Sequence, residues 1–141
     1  MALQVKGVDV WVASIKDRPG AVAEKLCGLA DAGAQLEFVI SRRSPEKPGT
    51  GVLFLTPLKG DAQMKAARKL GFRKTKNHPA IRIEGPDKPG EGAKITEALT
   101  AAGINLRGVS AAAIGKRFVA YIALDSQADA AKAIHILKKI S

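Results

Sequence analysis

Asp17-Arg-Pro-Gly20 and Asp87-Lys-Pro-Gly90 decide how this chain is read, because the second is the first displaced by 70 positions. The offset then holds without a gap. Leu29 meets Leu99, Ala32-Gly33 meets Ala102-Gly103, Leu36 meets Leu106, and Val39 meets Val109. Glycine and proline mark backbone geometry, so both copies should bend at the same places. Self-similarity at one spacing is the mark of a single supersecondary unit used twice.

Working outward from the turn, residues 8–15 are β-branched and apolar on both faces, which predicts one buried strand. After the turn, Val22, Leu26, Leu29 and Ala30 form one stripe of an amphipathic helix. Gly33 sits where a left-handed helix stop belongs. Leu36, Phe38 and Ile40 alternate with Glu37 and Ser41, as a half-buried strand does. A Pro- and Gly-rich loop over 41–51 leads to a third strand over 52–56. Met64, Ala67 and Leu70 mark a second helix ended by Gly71, and 72–76 can make a short fourth strand.

The second copy repeats this order. Ile81 and Ile83 open it, and Ile95, Leu99 and Ala102 mark its first helix. Residues 106–111 predict a strand, 112–117 a turn, 118–124 a third strand, and 128–139 a helix with Ile134 and Leu137 inward. No fourth strand follows. An unpaired edge is a liability, so residues 2–6 are expected to fill it. The predicted class is α+β: two ferredoxin-like βαββαβ units in tandem, over 1–76 and 77–141, each an antiparallel sheet with helices on one face.

The composition agrees. Of 141 residues, 46% are apolar, 26% charged and 4% aromatic, so the cores must be built from small aliphatic side chains. Units of about 70 residues are marginal alone and should lean on a neighbour or a second chain. No window approaches a membrane span, and the N-terminus lacks a signal-peptide pattern. The one cysteine, Cys27, excludes an intramolecular disulfide and a multi-cysteine metal site. Its place between Leu26 and Leu29 predicts a small buried hydrophobe rather than a nucleophile. These features point to the cytoplasm. Neither His78 nor His135 has a metal-ligand spacing, and no nucleophile or phosphate-loop motif occurs, so no enzyme, metal or cofactor is expected. The net charge is +10, and residues 59–76 hold seven Lys or Arg against Asp61 alone. That segment reads as a solvated basic face or a docking patch for an anionic partner.

The repeated turn carries the chemistry. Pro19 and Pro89 suit a first helical position. Gly20 and Gly90 allow close approach to the backbone. Free N–H groups at a helix start attract a carboxylate, and an amino acid offers one. Its ammonium can be met by Asp17 or Asp87. The plainer reading has these aspartates cap their helices.

Strand, Asp17-Arg-Pro-Gly20, helix, then Gly33-Ala-Gln-Leu36 into a strand resembles the ACT domain of aspartate kinases and phosphoglycerate dehydrogenases. Asp87-Lys-Pro-Gly90 with Gly103-Ile-Asn-Leu106 resembles it more closely. The resemblance implies paired units that extend a common sheet and hold an amino acid at the interface between them. The positions it implies are Asp17, Arg18, Pro19, Gly20, Ala21, Asp87, Lys88, Pro89, Gly90 and Glu91, with Gln35, Leu36, Asn105 and Leu106 opening the second strands. Gln35 departs from the family's Asn, and Glu91 places a carboxylate where a ligand carboxylate would approach. The first turn with Asn105 is therefore preferred to its mirror image. The resemblance implies a non-catalytic regulator acting on another protein. A homodimer is expected to cover the sheet faces, and neither a membrane nor nucleic acid is expected as a partner.

The alternative is an RNA-recognition module, which shares the element order. Phe118-Val-Ala-Tyr121 matches the ending of its aromatic motif, but Lys116, Arg117 and Arg82 stand where that motif needs other residues. Phe118 and Tyr121 should also lie on opposite faces of their strand. Trp11, Phe54 and Tyr121 are expected on the face away from the helices, under a covering partner.

Overall fold

A computed structural model describes residues 3–76 and 79–141. It contains β1 (Gln4–Val8), β2 (Trp11–Lys16), α1 (Ala21–Asp31), β3 (Phe38–Arg43), β4 (Thr50–Thr56), α2 (Gly60–Lys69) and β5 (Arg73–Lys74). The second copy supplies β6 (Ala80–Pro86), α3 (Glu91–Ala101), β7 (Leu106–Ile114), β8 (Arg117–Leu124) and α4 (Gln127–Ile140). Two compact units result. One is Asp9–Thr75; the other joins the N-terminal strand to Lys76–Ser141.

Each unit has a four-stranded, wholly antiparallel sheet, in the orders β3-β4-β2-β5 and β1-β6-β8-β7. The orders are the same topology, with β1 holding in the second sheet the edge that β5 holds in the first. Gln4↔Glu84 through Val8↔Ala80 pair β1 with β6. Val5 and Leu3 thereby reach the core around Ile83, Leu99, Ile122 and Leu137. Leu29, Leu53, Leu55, Ala67 and Trp11 build the other core. The architecture is the α+β tandem of two ferredoxin-like units expected from the repeat.

All three helices followed by Gly33, Gly71 or Gly103 end alike. Gly33 N–H donates to Ala30 O and Ala34 N–H to Leu29 O; Gly103 and Ile104 do the same to Thr100 and Leu99. Gly71 and Phe72 repeat it on Arg68 and Ala67. This is the Schellman stop, and the glycines' φ of 84°, 91° and 74° is what it demands.

Several expectations need correction. Residues 8–15 are not one strand: Val8 pairs with Ala80 and Trp11 with Leu55, so the chain breaks at Asp9-Val10. Trp11 faces its helices, in the core, while Tyr121 lies on the opposite side of its strand from Phe118. Ile40 is exposed because β3 is a sheet edge. β7 runs to Ile114, so only Gly115 and Lys116 turn. Cys27 is exposed, since helical spacing turns it off the stripe of Leu26 and Leu29. Ala2 and His78 lie outside the described residues.

Candidate functional site

The two turns share a backbone. Ala21 N–H donates to Arg18 O at 3.3 Å, and Glu91 N–H to Lys88 O at 3.3 Å. Each closes a four-residue turn with proline second and glycine third, and Gly20 (φ 86°, ψ −11°) and Gly90 (φ 88°, ψ 0°) have the type II conformation. These glycines are the helix N-caps, and neither helix has a side-chain cap. Two expectations fall here. Asp17 and Asp87 do not cap, and Pro19 and Pro89 stand two residues before the first helical position, because the type II turn intervenes.

The helices' first internal bonds run from Glu24 N–H to Gly20 O and from Lys94 N–H to Gly90 O, both 2.9 Å. The N–H groups of Val22 and Ala23, and of Gly92 and Ala93, meet no acceptor among the described residues. They point out of the helix starts with their partial positive charge unopposed.

The side chains around the turns differ. At the first, Arg18 Nη2 donates to both oxygens of Glu24, at 3.0 and 2.9 Å, and Arg18 Nη1 to Pro19 O at 3.1 Å. This contact and the Arg18 charge hold the Glu24 carboxyl below the usual carboxylate range, with Lys25 and Lys16 adding to it. Arg43 Nε sits 2.9 Å from Asp17 Oδ2. Both charged side chains of the first turn are thus engaged within the unit.

At the second turn the position equivalent to Glu24 is Lys94, so Lys88 lacks the carboxylate partner that Arg18 has. Neither lysine, nor Glu91 nor the Asp87 carboxylate, has an ionic partner among the described residues. A cavity of about 230 Å³ opens there, lined by Leu3, Pro86, Lys88, Glu91, Lys94 and Ser141. Neither Glu24, Lys94 nor Leu3 was singled out from sequence. The charge reversal was readable at the 70-residue offset, whereas Leu3 reaches the site only through the β1–β6 pairing.

The strand openings also differ. Gln35 is exposed and Leu36 packs into the core of its unit just before β3. Asn105 Nδ2 lies 3.5 Å from Asp125 Oδ2, and Arg107 Nη1 3.7 Å from Asp125 Oδ1, with Leu106 half-buried at the start of β7. The aromatic pair of the RNA alternative is not a stacking surface: Phe118 is in the core, and Tyr121 is 7% exposed, its hydroxyl accepting from Arg82 Nε at 3.1 Å. No group of metal-ligating side chains occurs among the described residues. No helix is long and apolar enough to cross a membrane.

No protein-family model matches the chain, and no curated protein matches it. Solved structures do. A Bacteroides thetaiotaomicron protein superposes with a TM-score of 0.78 at 21% identity, over 96% of this chain and 90% of that one. The ligand-free regulatory subunit of aspartate kinase from Thermus thermophilus gives 0.67 at 15%, over 99% and 96%. Escherichia coli aspartokinase III, in complex with aspartate and ADP, gives 0.60 at 15%, over 98% of this chain and 32% of the enzyme. This chain therefore shares the fold of the tandem regulatory units of aspartate kinases.

Proposed function

With that fold as premise, we propose that this chain is a non-catalytic regulatory protein whose ligand is an amino acid held at an ACT-type turn. The cavity at the second turn carries the reading. Lys88 and Lys94 offer two unpaired cations to an α-carboxylate, the Gly92 and Ala93 N–H groups stand without acceptors in the same first helical turn, and Glu91 offers an anion to the α-ammonium. The first turn has the same backbone with its charges spent on Glu24 and Arg43. The two turns are therefore inequivalent, and the second, rather than the first turn that the sequence favours, binds more tightly. The site is completed by the opening of a second strand, at Gln35-Leu36 or Asn105-Leu106, from a second copy of the chain. β7 favours a homodimer: it is a nine-residue edge strand with Val109 54% and Ile114 82% exposed, and an edge of that length invites pairing. The regulated partner is a protein, and the setting is the cytoplasm.

A thermal-shift series over the twenty amino acids tests this. A ligand at 100 times its dissociation constant adds about 2.7 kcal/mol of stability. Lys94→Glu reproduces the first copy's charge pattern, and we expect it to abolish the shift without altering the backbone. Loss of the shift in Gly20→Val alone would move the site to the first turn. Absence of any shift in the unaltered protein would remove the ligand reading.

A further inference from the structure

Six of the ten net positive charges lie in residues 59–76, far from the sequence of either turn. The structure places five of these cations on α2 and β5 of the Asp9–Thr75 unit. Along α2, Lys65, Arg68 and Lys69 are exposed at helical spacing, while Met64 and Ala67 turn to the core. The chain then passes Gly71 and the buried Phe72 into β5, where Lys74, paired with Trp11, lies on the helix side and Arg73, paired with Val12, on the other side of the sheet. The Trp11 ring, 1% exposed, lies beneath two of these cations: Arg68 Cζ is 5.5 Å and Lys74 Nζ 5.8 Å from its centroid. A ring shared in this way holds both in place. Lys74 also stands 3.6 Å from Asp9. Lys65, Arg68 and Lys69 have no acceptor among the described residues. Like charges on one surface repel, and an anionic partner relieves them.

We propose that this α2–β5 face docks a carboxylate-rich segment of another protein. Arg68, 5.5 Å over the indole, has no acceptor among the described residues, and a guanidinium N–H edge matches a carboxylate bidentately. Nucleic acid fits less well. Trp11 and Phe72 are buried, so no aromatic plane is offered to bases. The ten-residue helix is about 15 Å long and spans only about four phosphates of one strand. The corresponding helix of the other copy, α4, carries the same balance, Lys132, Lys138 and Lys139 against Asp129, but the position equivalent to Trp11 is Ile81, so the ring beneath the cations is particular to one unit. The proposal stands whether or not the turns bind an amino acid.

The test is a titration of the whole protein with a fluorescently labelled glutamate-rich peptide at physiological ionic strength, read by anisotropy. Emission of Trp11, the only tryptophan, is followed in parallel. Saturable binding with a change at Trp11 is expected. Lys65→Ala, Arg68→Ala and Lys69→Ala together should weaken it about tenfold, since each exposed ion pair contributes a fraction of a kcal/mol. The charge-matched control, Lys132→Ala, Lys138→Ala and Lys139→Ala, should leave it unchanged. Equal loss in both triple variants would reduce the effect to net charge and overturn the proposal. So would tighter binding of a DNA duplex or single-stranded RNA of equal charge, or no binding of the peptide at all.

Discussion

Val5→Ala puts the discontinuous unit to a direct test. Val5 is 7% exposed and sits opposite Ile83, which is fully buried. The substitution removes two methyl groups from a core assembled from opposite ends of the chain. At about 0.8 kcal/mol for each buried carbon, the transfer loss is about 1.6 kcal/mol. Incomplete collapse of the space left behind raises this to about 2 kcal/mol. A loss of that size shifts the melting of a unit of this length by about 8–16 °C. Hydrogen exchange by NMR locates it. Amides of Ile81, Ile83 and Ile122 in β6 and β8 should exchange about thirtyfold faster, as 2 kcal/mol requires. Amides of Ala13, Leu53 and Leu55, in the other core, should hold their protection. Faster exchange confined to β2 and β4, or a loss below about 0.5 kcal/mol, would refute the assignment of the N-terminal strand to the second unit's core.

Leu29→Ala and Leu99→Ala remove equivalent, fully buried side chains from the two cores; each should cost about 2–5 kcal/mol in urea unfolding, and the costs should add in the double variant, because the residues share no core. The Arg18–Glu24 contact makes a pH prediction. A carboxyl whose folded value is depressed stabilises above its unfolded value, and the stabilisation is lost as pH falls through the folded one. A carbon-detected NMR titration of Glu24 should therefore show a midpoint below that of a free glutamate, and Arg18→Gln should raise it; an unmoved midpoint would mean that the contact does not hold the Glu24 charge.

The repeat was legible because its strongest marks are backbone marks. Gly33, Gly71 and Gly103 stop their helices in the left-handed conformation, and no other residue type adopts it as cheaply. The turns were recognisable as turns, yet their chemistry was partly misjudged. Asp17 reads as a cap from sequence, but the type II turn inserts Gly20 at the cap position and leaves Asp17 to Arg43. That pairing joins residues 26 positions apart and depends on where β3 emerges, which local sequence does not encode. Trp11 was assigned to the wrong face for a related reason. Period 2 says which residues share a face, not which face the helices cover, and the helix contacts decide that.

By itself the sequence determined two copies of one unit, their α+β class, the positions of the glycine stops, and a charge concentrated in residues 59–76. These follow from periodicity, from glycine and proline geometry, and from counting, all of which are local. Only the tertiary structure decided that the chain changes unit at Asp9-Val10, that Leu3 walls the cavity of the second turn, and that Arg68 and Lys74 meet over Trp11. Each of these joins residues distant along the chain, brought together by strand pairing and by a helix laid across a sheet. The turn backbone is the same in both copies. What separates them is which side chains the fold delivers beside it: an arginine already matched to Glu24 in one, and two unmatched lysines in the other.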